Sequence, residues 1–247
     1  RDGRPVAGQP GRLLEKTPKN ALRVPFLAKS CPEAHFIYLY RDPRQTLSSM
    51  IEAWQSGRFR TYPQLPGWSG PPWSLLLVPG WRKLIGRSLP EIVATQWETT
   101  TRILLDDLEA IPAGRRHVVR YEGLLENPGA EVARLAETLG FGWDQAIDGE
   151  LPLSRFTVSP PSLDKWKRHA DLIEPSLGGM QATIERARSF AARTAATSAS
   201  IGDDPSDACS TGSDSPVRRP PCARRRTCCR IFGATFPKEP SCRTRSI

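Results

Sequence analysis

The chain has 247 residues, 25% charged and 38% hydrophobic, with a formal net charge of +9. That length holds one ordinary domain, or one domain and a tail. Nine Lys/Arg against five Asp/Glu fall in residues 195–247, so about +4 of the net charge lies there and the body is only mildly basic. The high isoelectric point is therefore a poor argument for nucleic acid. Five of the six cysteines (Cys209, Cys222, Cys228, Cys229, Cys242) share that segment and lack paired C-x-x-C spacing. This argues against a zinc site and against a disulfide framework, and it points to a reducing, cytoplasmic setting. No apolar run reaches about 18 residues, so no membrane span is expected.

In chain order, residues 1–11 form a residual N-terminal segment without an initiator Met or an apolar signal region. Arg12 to Lys16 has the look of a short strand, and Thr17 or Asn20 can cap a following helix with Leu22, Phe26 and Leu27 on its buried stripe. Pro25 starts or kinks that helix. His35 to Tyr40, HFIYLY, is the clearest strand, of the type covered on both faces. Asp42-Pro43-Arg44-Gln45 is a strong helix start: Asp42 caps, Pro43 takes the first helical position, Gln45 closes a capping box, and the helix runs to about Trp54.

Residues 56–87 are rich in Gly and Pro and carry Phe59, Tyr62, Trp68, Trp73 and Trp81. A loop this long is either a lid or binding loop, or a rigid excursion packed on its own aromatics. Leu89 to about Glu109 has helical periodicity, ended by Pro112 and Gly114. His117 to Tyr121, HVVRY, is a second buried-type strand. Asn127-Pro128 opens a helix that Gly140 stops, Ser162 caps LDKWKRHADLIE, and Ser176 to Arg193 forms the last helix. From 194 the composition shifts to Ser, Thr, Pro, Arg and Cys without apolar periodicity, as in a disordered basic tail. Alternating strands and helices over 12–193 predict an α/β domain with a mostly parallel sheet.

Two cations stand where strands give way to helices: Lys16 in EKTPKN and Arg41 in YRDPRQTLSS. Strand carboxyl ends in parallel sheets bind ligands, and helix N-termini favour anions. Ser49, two turns beyond Asp42, shares a face with the cap, so a guanidinium, a hydroxyl and helix N–H groups can share one phosphate. By spacing alone, Arg41 is equally a partner for Asp42 or another sheet-edge carboxylate. Lys16 at a strand end can neutralise charge in a group transfer, with Glu15 accepting a proton; spacing alone favours a solvated pair over that reading. Tyr121 can lie against a base or belong to the core. Lys165-Trp166-Lys167 can clamp a purine and its phosphate, or belong to an amphipathic helix with both lysines in water. His35, His117 and His169 are scattered and suggest no metal site.

Four motifs in order, EKTPKN, FIYLYRDPR with LSS, VRYEGLLENP and SPPSLDKWKRHA, resemble the PAPS-dependent sulfotransferases, in particular their bacterial branch, over about residues 12–175. The resemblance implies a P-loop-like three-layer sandwich and 3′-phosphoadenosine 5′-phosphosulfate (PAPS) as donor, with no metal. It implies that Arg41 and Ser49 hold the 3′-phosphate, that Tyr121 lies near the adenine, that Lys16 meets the sulfuryl group, and that Lys165 and Lys167 close over the nucleotide. The acceptor it implies is a small molecule or a glycan. Two departures stand out. No GxPRSGTT-like string occurs, so the chain is expected to be a fragment lacking the family's first strand and 5′-phosphosulfate loop. The histidine base of cytosolic members would fall at Pro18; glycosaminoglycan-type members use a Glu before the lysine, which Glu15 matches. The rival expectations are a kinase-like phosphate-binding transferase and a nucleic-acid-binding module acting through the basic tail.

Overall fold

A computed structural model describes residues 13–143, 147, 153 and 157–200, the side chains of 197–200 excepted. The segments 1–11 and 201–247, with the five late cysteines, lie outside the described residues. The described elements from Lys16 onward belong to one compact unit, Lys16–Cys209.

Strand β1 (Phe36–Tyr40) runs into helix α2 (Pro43–Ser56). Strand β4 (Arg116–Arg120) runs into α4 (Tyr121–Glu126) and then α5 (Pro128–Thr138). β1 and β4 pair in parallel, with Tyr40 opposite Arg120. Between them lie a short antiparallel pair, β2 (Arg60–Tyr62) with β3 (Trp73–Ser74), and the long helix α3 (Leu89–Glu109). Helix α6 (Ala170–Ser200) packs along α3. Arg186 of α6 bridges Asp106 and Glu109 of α3 at 2.6 and 2.7 Å.

Several helix ends follow the sequence. Asp42 accepts from the N–H groups of Arg44 and Gln45, and Asn127 accepts from Ala130 N–H. Ser88 and Glu91 form a capping box on α3 that the sequence reading missed. Gln45 closes no such box: its side chain accepts from Arg41 Nε at 3.4 Å instead.

Other expectations need correction. Residues 13–17 form no strand, and Lys16 stands on an exposed irregular stretch. Leu13 and Leu14 are 77% and 83% exposed, so burial does not hold them extended. A 3-10 helix (Pro18–Leu22) precedes α1 (Val24–Ser30); Pro25 starts α1, and Phe26 faces water rather than the core. β1 is not covered on both faces. Phe36, Tyr38 and Tyr40 pack against α3 and α6, while Ile37 and Leu39 are 37% and 48% exposed. Among the described residues the parallel sheet has two strands, which is mixed α/β but short of the predicted three-layer sandwich. The two predicted late helices are a 3-10 helix (Lys165–His169) followed by α6, which runs through Pro175 and on past Arg193. Pro175 sits in the second turn, and the buried Ile173, Met180 and Ile184 on either side hold the helix together across it.

The segment 56–87 is a packed aromatic excursion. Trp54, Trp68, Trp73 and Trp81 meet edge to face, with Trp73 fully buried. Buried Gln96 of α3 accepts from Trp54 Nε1 at 2.9 Å, and its amide donates to the carbonyls of Ser74 and Leu76 at 3.1 and 2.6 Å. Those carbonyls flank Leu75, a non-glycine residue at φ 62°. A left-handed leucine is strained, and the Gln96 amide holds the chain on both sides of it. The loop is packed on its own aromatics and on α3, which fits the second of its two readings, an aromatic-packed excursion.

Candidate functional site: a guanidinium, a hydroxyl and a phenol at one sheet edge

Parallel pairing of Tyr40 with Arg120 makes Arg41 and Tyr121 the next residues out on two adjacent strands. The fold thus brings together residues 80 positions apart. The Arg41 guanidinium lies over the Tyr121 ring, 4.3 Å from its centroid. Arg41 Nη1 donates to Ser49 Oγ at 3.2 Å, and Arg41 Nε to Gln45 Oε1 at 3.4 Å. Gln45 and Ser49 lie on one face of α2 by their i, i+4 spacing, and Arg41, just before the Asp42 cap, reaches back over that face. Gln45 is the member of that face the sequence reading did not assign, although the spacing carried the signal.

The site is half-buried and polar. Burial draws the Arg41 guanidinium below its ordinary pKa, while Tyr121, Glu122, Asp42 and Glu52 pull it back up. An arginine remains charged at neutral pH regardless, so a desolvated cation with a neighbouring hydroxyl stands at the sheet edge. The helix N–H groups contribute less than expected. Pro43 has none, and Asp42 occupies those of Arg44 and Gln45 at 2.9 and 3.3 Å. The polar groups left at this edge are therefore side chains rather than free N–H groups of the helix's first turn.

A second polar row on α2, at positions 44, 48 and 52, holds the Lys165–His169 segment. Arg44 stacks on Trp166 at 5.1 Å, Ser48 Oγ and His169 Nδ1 lie 2.9 Å apart, and Glu52 binds Lys165 at 2.6 Å and Arg168 at 3.1 Å. Ser159 Oγ also donates to Glu52. The Lys165–Glu52 pair is nearly buried, so the Lys165 ammonium is committed to a carboxylate within the protein. Lys167 stays in water, 2.8 Å from Asp164. Burial alone would raise the Glu52 pKa; the hydrogen bonds from Lys165 and Ser159 and the charges of Lys165 and Arg168 outweigh it and lower the pKa below its ordinary 4.5.

Lys165→Met should therefore cost about 2–3 kcal/mol, because it strips one partner from a buried carboxylate. Adding Glu52→Gln should restore part of the loss in thermal unfolding. A depressed carboxyl pKa stabilises the fold above the unfolded value, and that contribution drains away as pH falls through the folded value. On acidification below about 4.5, wild type should lose stability more steeply than Glu52→Gln; parallel curves would contradict this role for Glu52.

Glu15 and Lys16 are both exposed. The histidines are not all scattered: His35 Nδ1 lies 2.8 Å from His117 Nε2, with the rings stacked. Among the described residues no group of three His, Cys, Asp or Glu is placed to hold a metal ion, and no helix is long and apolar enough to cross a membrane.

Parallel strands deliver a cation and a phenol to one edge of a mixed α/β fold, beside a capped helix. The family model described as the sulfotransferase family matches residues 4–145, more than half of the chain, and the chain belongs to that family. Membership places it among transferases of the sulfuryl group. No curated protein and no solved structure matches the chain.

Proposed function

We propose that this protein takes 3′-phosphoadenosine 5′-phosphosulfate as donor and passes its sulfuryl group to an acceptor hydroxyl or amine. The observation that supports the donor is the convergence of Arg41 Nη1 and Ser49 Oγ, 3.2 Å apart, with Tyr121 under the same guanidinium. Two donors at that separation suit two oxygens of one phosphate. In this reading they take the 3′-phosphate, and Tyr121 lies towards the adenine. Lys16 neutralises charge on the transferring group, and Glu15 receives the acceptor proton. Of the late cations, Lys167 is the one open to the nucleotide; Lys165 acts by anchoring the segment on Glu52.

In the transfer, the bond from sulfur to the bridging phosphate oxygen breaks and the acceptor oxygen or nitrogen bonds to sulfur. The acceptor proton passes to the Glu15 carboxylate, and 3′-phosphoadenosine 5′-phosphate leaves. Such a step asks mainly for positioning and charge neutralisation, by analogy with phosphoryl transfer. Mild basicity of the body fits a small polyanion better than a nucleic acid.

The test is calorimetric titration of the full chain with 3′-phosphoadenosine 5′-phosphate, adenosine 5′-monophosphate and ATP. The expected result is a preference of about tenfold or more for the bisphosphate. Equal binding of all three, or preference for ATP, would defeat the donor assignment.

A further inference from the structure

One carboxylate at this edge has no part in the reading above. Glu122 follows Tyr121 at the start of α4, and its Oε1 accepts the Asp42 N–H at 3.1 Å. That N–H belongs to the peptide joining Arg41 to Asp42. A single side chain therefore ties the turn that carries Arg41 to the turn that carries Tyr121, across 80 residues of sequence. The remaining oxygen, Oε2, is buried and has no hydrogen-bond partner. A buried, unsatisfied carboxylate oxygen is costly, so stability alone gives no reason to place one here. An alanine would avoid that cost but leave the Asp42 N–H without its acceptor.

We infer that Glu122 is a positioning residue: its bond to the Asp42 peptide sets Arg41 over Tyr121, and preference for a 3′-phosphate depends on that bond. This rests on the donor assignment proposed above. The geometry carries it. β1 and β4 fix the two turns side by side through backbone pairing, but that pairing ends at Tyr40 and Arg120. Beyond those residues the Glu122 bond joins the two segments directly, and the stack of Arg41 on Tyr121 lies immediately next to it. Arg41, whose carbonyl carbon forms that peptide, also reaches Ser49 and Gln45 on α2.

Three variants separate positioning from mere support of the fold. Glu122→Ala removes the acceptor. Glu122→Asp keeps the charge but is one methylene short. Glu122→Gln keeps an oxygen for the Asp42 N–H while burying an amide where Oε2 now lies without a partner. The readout is the ratio of affinities for 3′-phosphoadenosine 5′-phosphate and adenosine 5′-monophosphate, measured by titration of the full chain beside the thermal midpoint. The ratio should fall about tenfold in Glu122→Ala and Glu122→Asp, the scale of one hydrogen bond to a charged group. In Glu122→Gln it should stay within about threefold of wild type, even though that variant melts lower. A purely supporting residue would instead let the ratio follow the midpoint.

An unchanged ratio in Glu122→Ala, or a Glu122→Gln ratio as low as that of Glu122→Ala, overturns the inference while leaving the donor assignment standing. A wild-type chain with no preference for the bisphosphate overturns both. Should Glu122→Ala fail to fold, the contrast between Asp and Gln decides the matter.

Discussion

Arg41→Ala is expected to weaken binding of 3′-phosphoadenosine 5′-phosphate by roughly 10–100-fold, the scale of losing a hydrogen-bonded charge from a partly desolvated site. Binding of adenosine 5′-monophosphate should change by no more than about threefold, because the lost group serves the other phosphate. The substitution removes the donor to Ser49 Oγ, the donor to Gln45 Oε1 and the stack on Tyr121 together. It should cost little stability, since burial already draws the guanidinium below its ordinary pKa and so weighs against its charged form. Arg41→Lys should recover only part of the affinity: an ammonium is a point charge and cannot bridge two oxygens in one plane. Equal loss for both nucleotides, or none for either, would remove Arg41 from the 3′-phosphate.

Trp73→Ala is expected to destabilise the protein by about 3–5 kcal/mol. That is a large share of the roughly 5–15 kcal/mol available to a domain. Trp73 is fully buried, meets Trp54, Trp68 and Trp81 edge to face, and donates from Nε1 to the Leu76 carbonyl at 3.0 Å. Close packing around the cluster lets a cavity of indole size relax only in part. The Leu76 carbonyl keeps its bond from Gln96, so the loss falls on the ring packing and on one of the two donors to that carbonyl. Trp73→Phe should cost less, keeping most of the packing but not the N–H bond. Urea unfolding followed by far-ultraviolet circular dichroism measures both. A loss below about 1 kcal/mol for Trp73→Ala would show that the excursion is not part of the cooperative core.

The two predictions fall on opposite sides of what a sequence can show. The Arg41 site was legible because its grammar is local. Asp42 and Pro43 announce a helix start after an apolar strand, and Ser49 shares a face with the Asp42 cap by helical spacing. The aromatic loop was not legible in the same way: tryptophans in a Gly/Pro-rich stretch read equally as lid and as core. Gln96, lying 20 residues or more from the groups it holds, favours the latter. The Lys165 cluster shows the same limit. Its two lysines looked equivalent in sequence, yet one is buried against Glu52, more than a hundred residues away, and the other is in water. The strand expected at Arg12–Lys16 failed for a related reason: strand propensity is the fit to a half-buried pleated surface, and the exposed Leu13 and Leu14 lack one.

Short stretches of sequence were enough for the Asp42 and Asn127 caps, both strands of the parallel pair, the cation at the end of the first, and motifs in the order of a sulfotransferase. Those features depend on residues a few positions apart, where backbone geometry leaves few alternatives. Only the tertiary structure decided that Tyr121 lies beneath Arg41, that Glu122 ties their two turns together, and that Lys165 is spent on Glu52. Each of those depends on strand register and on which charges are desolvated together, and neither is a property of any short stretch of chain.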